Sequence, residues 1–384
     1  MKLLPLLVFW CLWFVNYSTR SAFSPVLPLI EDNLSLSHGA AGGLFTSLSI
    51  GNSLALITTG RIASFLGYKR TVTIGFVGIG LVLFVFQWAD SYLALHVLFF
   101  LLGLAAGTYI PSILPIITET YDHKDWGKAI GFHDSAASLS IFAIPILVAF
   151  GLHFFEWRRL LVILGGASWL LCLSFWTVSR VSSEPRPVAT KSETHYGVIF
   201  RKKTIWIMGG LWAFATGSCA GVYSILPLYL VKERGIDLYL ANTLFGISRA
   251  GGVFISILIG FLMDRFGYEK MLRLSLLATG LSTIALALSN TLPLILITLI
   301  LQATLSLAFF PVGMAILSKL TSPGERSMTI GLTMSFGSVF GMGFTPFLLG
   351  VTADHLNFGV GILGLGVLTT LSSIGVSLLR NGGR

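Results

Sequence analysis

Twelve stretches of mostly apolar residues follow one another along the 384-residue chain. Each has the length of about 20 residues that an α-helix needs to cross a bilayer. They lie at 3–30, 39–60, 70–89, 91–118, 127–152, 158–179, 204–231, 238–263, 270–289, 292–318, 327–352 and 356–379. No charge occurs from Leu274 to Ser318, which is too long for one crossing; Ser289, Asn290, Thr291 and Pro293 supply a turn between two. The first run starts at residue 3 with no small-residue cleavage site after it, so it is expected to stay as a span. Only 11% of residues are charged and 54% are hydrophobic, against roughly 25% charged in a soluble domain. That balance excludes an ordinary soluble globular protein, a disordered chain and a nucleic-acid binder. Cys11, Cys172 and Cys219 stand in apolar runs without CxxC spacing. They are expected to pack, and no disulfide framework, metal or cofactor is expected.

Lysine and arginine set the orientation. With the N-terminus in the cytoplasm, 19 of the 25 fall on the cytoplasmic side. Arg158, Arg159, Lys232 and Arg234 fall outside, and Arg20 and Arg249 lie within spans. Both termini are therefore expected in the cytoplasm, in a multi-pass protein of the inner (plasma) membrane. The net charge of +9 is read as a match to anionic lipid, not to nucleic acid. The polar stretch 180–203 reads as a cytoplasmic linker, with a short surface helix in it as an option. It divides the chain into six spans over 1–179 and six over 204–384.

The two halves repeat. Leu12-Trp13 matches Leu211-Trp212, and Leu27-Pro28-Leu29 matches Leu226-Pro227-Leu228, at an offset of 199. At an offset of 200, Gly60 matches Gly260, Gly67-Tyr68 matches Gly267-Tyr268, Pro111 matches Pro311, and Ser135 and Ser138 match Ser335 and Ser338. A parallel six-plus-six repeat is the pattern of two bundles that open a site between them to one side at a time.

The loop after span eight carries Gly260, Asp264, Arg265, Gly267 and Lys270 in the spacing G-x-x-x-D-R-x-G-x-x-K. This resembles the signature of the major facilitator superfamily, which recurs there after spans two and eight. The first copy keeps Gly60, Gly67 and Arg70 but has Ser64 and Phe65 where Asp and Arg are expected. The resemblance gives these residues a gating role: glycines for a tight turn and close helix approach, an acid that caps or pairs, and bases for headgroups. Asn16, Tyr17 and Arg20 resemble the N-Y-x-D-R run of the superfamily's organic-anion transporters, with Thr19 at the acid. Gly103, Gly107 and Pro111 are similar to their G-x-x-E-G-x-x-x-P run, with Ala106 at the carboxylate, and Phe155 to Arg158 to their F-G-W-R. The resemblance implies an all-α membrane protein of twelve helices in two six-helix bundles, a monomer that works by alternating access.

Charges inside spans are expensive and usually face a cavity or a partner. Arg20 and Arg249 are such charges, and arginine keeps its proton, so each calls for an anion or a cage of carbonyls. Both are expected to line the central cavity and hold a small anionic substrate, with Asn16 and Ser24 on the face of Arg20, Tyr17 beside it and Tyr109 as a hydrogen-bond donor. Packing is the equal alternative for Tyr109, and a permanent pair with Asp134 the alternative for Arg249. His133 and Asp134 form a dyad in span five, read as the carrier of a coupling proton or as a packed pair. The function expected is proton-coupled transport of a small organic anion; the alternative is export of neutral or cationic amphiphiles. No HExxH, nucleophile elbow, GxGxxG after a strand or P-loop spacing is present, so no enzyme activity is expected.

Overall fold

The computed structural model describes residues 3–179 and 201–381. Lipid offers no partner for backbone N–H and C=O groups, so a chain of apolar runs must satisfy them within helices. The described residues do so almost throughout. Span one is the pair Leu3–Ser21 and Phe23–Leu34. Spans two to seven are His38–Leu66, Tyr68–Trp88, Tyr92–Thr120, His123–Gly151, Trp157–Val178 and Lys203–Lys232. Span eight is Leu238–Ser248 and Gly252–Phe266, joined by a 3-10 turn at Arg249–Gly251. Spans nine to twelve are Tyr268–Leu288, Leu292–Leu320, Met328–His355 (extended back to Pro323) and Phe358–Gly375. The protein is thus an all-α, twelve-span membrane protein. The linker reading falls on 180–200, outside the described residues; Lys203 begins a helix and is not linker.

The interruptions have local causes. A proline removes one ladder N–H and its ring meets the carbonyl four residues back. Pro25 places that defect at Ser21, Pro111 at Gly107 and Pro311 at Leu307, and helices end at or beside those residues. Span eight breaks without proline, before the pair Gly251-Gly252. The turns after spans two and eight use Gly67 at φ 83° and Gly267 at φ 84°, a region that a side chain disfavours.

Packing divides the chain into two units. Unit one is Met1–Leu34 with Ser47–Thr190, and unit two is Ser35–Thr46 with Lys191–Arg384. The opening turns of span two belong with unit two because its groups hold them. The Asp354 carboxylate accepts from the backbone N–H of His38 (2.8 Å) and Gly39 (2.9 Å), and Thr46 donates to Gly343 O (2.9 Å). Unit one's core gathers Phe9, Trp13, Phe76, Tyr109, Ile113 and Phe175. Unit two's gathers Met208, Trp212, Leu276, Phe309, Val312 and Leu317. Exposed leucines and phenylalanines such as Leu170 and Phe261 are the surface that lipid tails cover.

Candidate functional site

Arg20 closes the first helix of span one, one turn beyond Asn16. Its Nη2 donates to Asn16 Oδ1 at 3.4 Å and its Nη1 to Asn52 Oδ1, on span two, at 3.3 Å. Asn16 is itself fixed, since its Nδ2 donates to Ala106 O on span four at 3.1 Å. The guanidinium lies 4.8 Å from the Tyr17 ring and 5.8 Å from the Trp13 ring. Arg20 is thus held by neutral oxygens and aromatic faces. Asn16 and Tyr17, expected as substrate contacts, are the groups that position it. The face expected to run on to Ser24 is interrupted, because the helix breaks at Ala22.

Below Arg20 lies a stack. Trp13 lies parallel to Tyr109 (centroids 5.4 Å, 15°) and to His133 (5.8 Å, 9°), and Tyr17 meets it edge-on at 5.4 Å. The Tyr109 hydroxyl donates to Phe9 O at 3.0 Å and lies 3.0 Å from His133 Nε2. A phenol has one proton; with it directed to Phe9 O, His133 Nε2 carries the hydrogen and donates to the phenol. Tyr109 is 1% exposed, so the expectation of a hydroxyl offered to an anion gives way to a tether between spans one, four and five. The dyad also changes character. Successive helix residues point about 100° apart and do not face each other. His133 is accordingly buried and Asp134 exposed, so the two members of the dyad stand in different surroundings. Trp13 joins them: its Nε1 donates to Asp134 Oδ1 at 3.3 Å while its ring covers His133.

In unit two, Arg249 opens the 3-10 break of span eight. Its Nη2 donates to Cys219 O at 3.2 Å, its Nη1 lies 3.8 Å from Cys219 Sγ, and its Cζ sits 3.4 Å from the Tyr223 ring. Cys219 belongs to a π-helical segment, Gly217–Gly221. Such a step shifts the ladder from i+4 to i+5 and leaves carbonyls to side-chain donors. Cys219 O takes Arg249, and Ser218 O takes Gln302 Nε2 at 2.7 Å. Neither Arg20 nor Arg249 has a carboxylate within ion-pair distance among the described residues.

The motif loops match their expected turns but not their expected contacts. Arg70, Asp264 and Arg265 are exposed, and no hydrogen bond or ion pair of Asp264 occurs among the described residues. Among the described residues a Cβ at Gly60 or Gly260 would meet nothing within 4 Å, so no helix closes on either glycine there. Arg265 and Lys270 lie instead 5.5 and 5.3 Å from the Phe266 ring. Charge scanning passes over the neutral groups Asn52 and Cys219, which hold the arginines, and over Gln302, which holds the Ser218 carbonyl of the π-helical segment. It also passes over Lys69, a buried ammonium that donates to Ser179 O (2.6 Å) and Trp176 O (3.2 Å) at the end of span six. The signal for Asn52 and Gln302 was an amide alone in an apolar run.

The model of the Major Facilitator Superfamily matches residues 9–288 and 241–382, and the chain belongs to that family. It is a multi-pass inner-membrane transporter and not an enzyme. It is 26% identical over 294 residues to a probable sulfoacetate transporter of Cupriavidus necator, covering 71% of this chain and 68% of that one. It is 25% identical over 268 residues to a hexuronate transporter of Bacillus subtilis, covering 67% of this chain and 63% of that one. A solved bacterial homolog of the human lysosomal transporter Spinster shares the fold, with a TM-score of 0.79, 17% identity and coverage of 99% and 95%.

Proposed function

We propose that this transporter carries a small organic anion, a carboxylate or sulfonate, by alternating access of its two repeats, with both termini in the cytoplasm. The observation that carries this reading is the pair of arginines that, among the described residues, are held by neutral groups. Arg20 rests on two amide oxygens and Arg249 on a carbonyl and a thiol. Each keeps a full positive charge at a depth where an opposite charge is strongly favoured, and an anion satisfies a guanidinium fork with two charge-assisted hydrogen bonds. Relatives named for sulfoacetate and hexuronate, both organic anions, support the same class. We further assign the coupling ion as the proton, taken up at His133 and Asp134, the titratable groups beside the Arg20 site. The loops of the Asp264 motif keep their proposed gating role, with Gly67 and Gly267 as the turn residues.

The test is uptake into proteoliposomes from a panel of labelled sulfoacetate, glucuronate, a neutral sugar and a quaternary ammonium ion, with and without an inward proton gradient. Accumulation of an acid above equilibrium, driven by the gradient, is expected. Selective transport of the cation or the neutral sugar would overturn the anion reading. Acid transport indifferent to the gradient would overturn the proton.

A further inference from the structure

In unit one a single side chain lies against both members of the proton dyad and close to the Arg20 guanidinium. Trp13 donates to Asp134 Oδ1, lies parallel to His133 and to Tyr109, meets Tyr17 edge-on, and lies 5.8 Å from the Arg20 guanidinium. It is 7% exposed and sits in the core, so it cannot shift without moving those neighbours. The titratable and charged groups around it are few. Span one carries Cys11, which faces Tyr109, along with Tyr17 and Arg20; span three carries Tyr68; span four carries Tyr109 and, at its inner end, Glu119 with Tyr121 just beyond; span five carries His133 and Asp134; span six carries Cys172; the outer end of span one carries Glu31 and Asp32.

We infer that Trp13 is a positioning residue that links protonation of Asp134 to the freedom of Arg20 to take an anion. The inference rests on the proposed function. While Asp134 is ionised, the indole N–H donates to a charged acceptor, and charge-assisted hydrogen bonds are roughly twice as strong as neutral ones. That bond holds the indole in its plane, and Arg20 remains drawn to the faces of Trp13 and Tyr17. A proton from the aqueous phase binding a carboxylate oxygen of Asp134 removes the charge from the acceptor. The indole is then held less firmly, and the guanidinium exchanges its aromatic contact for the substrate anion. Proton and anion thereby favour the same state, and linkage makes each raise the affinity for the other. The stack with His133 extends the device, because a proton on the imidazole would draw the indole face toward span five.

Trp13→Phe keeps a ring against His133 and Tyr109 and removes the N–H donor, at the cost of part of the indole's ring surface. Two assays on reconstituted full-length protein separate its role from packing: proton-driven accumulation of labelled glucuronate or sulfoacetate, and counterflow exchange of the same acid at equal pH. Exchange within about twofold of wild type, with accumulation reduced at least tenfold, is the expected result. Asp134→Asn should give the same split, and the double variant should be no worse than either single one. If Trp13→Phe accumulates acid as wild type does, the inference falls and the proposed function stands. If exchange and accumulation fall together while Asp134→Asn shows the split, Trp13 is packing and the inference falls. If wild type ignores the gradient, or carries neither acid, the proposed function falls and takes the inference with it.

Discussion

Trp13 and Trp212 occupy matched places in the two repeats, yet their surroundings differ in kind. Trp13 is surrounded by Tyr109, His133, Asp134 and Tyr17. Trp212 meets Phe309 at 5.3 Å, Phe310 at 5.9 Å and the glycines Gly313 and Gly337. Tyr109 and His133 correspond to Phe309 and Thr333, so the second repeat has the same frame without the titratable groups. The arginines are exchanged between helices in a similar way. The repeat partner of Arg20 is Cys219, and Arg249 reaches that same position from span eight. The turn after span three repeats the pattern: Arg158 binds Asp90 and Ala89 O, while Arg234, from the end of span seven, binds Asn290 and Ala287 O. Duplication has kept the places that need a cation and changed the helix that supplies it. His133 and Asp134 of the first repeat have Thr333 and Met334 at the matching places of the second.

The largest effect expected from breaking this arrangement is on transport. Arg249→Lys keeps the charge and loses the planar fork. A charge-assisted hydrogen bond contributes about 1.5–3 kcal/mol, so kcat/KM for acid uptake should fall roughly 10- to 100-fold. Uptake at the wild-type rate would make Arg249 a structural residue.

Exchanging residues between repeats should cost stability at either end. Tyr109→Phe copies the unit-two residue but strips Phe9 O and His133 Nε2 of a shared partner. Leaving such buried groups unmet costs about 1–3 kcal/mol, to be read as a lowered Tm in detergent. Gly337→Ala copies Ala137 of the first repeat, yet its Cβ would be driven into the Trp212 ring. Overpacking of that kind costs about 1–3 kcal/mol. Unchanged Tm in either variant would show that the two repeats tolerate each other's residues.

The smallest effect is at the N-terminal end of span eleven. The Lys202 ammonium, 2.6 Å from Glu325 Oε2, and then the Ser322 hydroxyl hold the Glu325 carboxyl below its usual range. A depressed carboxylate contributes stability above its unfolded pKa and loses it as pH falls through the folded value. The Tm difference between wild type and Glu325→Gln should therefore shrink as the solution is acidified below the ordinary glutamate range, and shrink with added salt as well. The pair is exposed, so a small difference is expected at neutral pH.

The fold was legible because length and hydropathy fix it: a run of apolar residues in lipid has no other way to satisfy its backbone. The places of Arg20, Arg249, His133 and Asp134 were legible for the same reason, since a charge in such a run stands out. Their surroundings were not. Whether Asn16 touches substrate or holds Arg20 depends on where Ala106 O falls, which span four's break at Gly107 decides. The break of span eight came from glycines and not from a proline, and glycine is too common in this chain to mark it. Adjacent residues His133 and Asp134 read as one unit in sequence, but helical rotation sends them to different environments, and the indole of Trp13 meets both.

The central claim, that the first repeat alone carries the coupling proton, is tested most directly by following external pH as glucuronate or sulfoacetate is added to proteoliposomes with no imposed gradient. The medium should turn alkaline as protons enter with the acid. His133→Leu or Asp134→Asn should abolish that signal while counterflow persists, and changes at the repeat partners, Thr333→Leu or Met334→Leu, should leave it intact. Alkalinisation that survives both first-repeat variants, or disappears only with those at Thr333 or Met334, would contradict the claim.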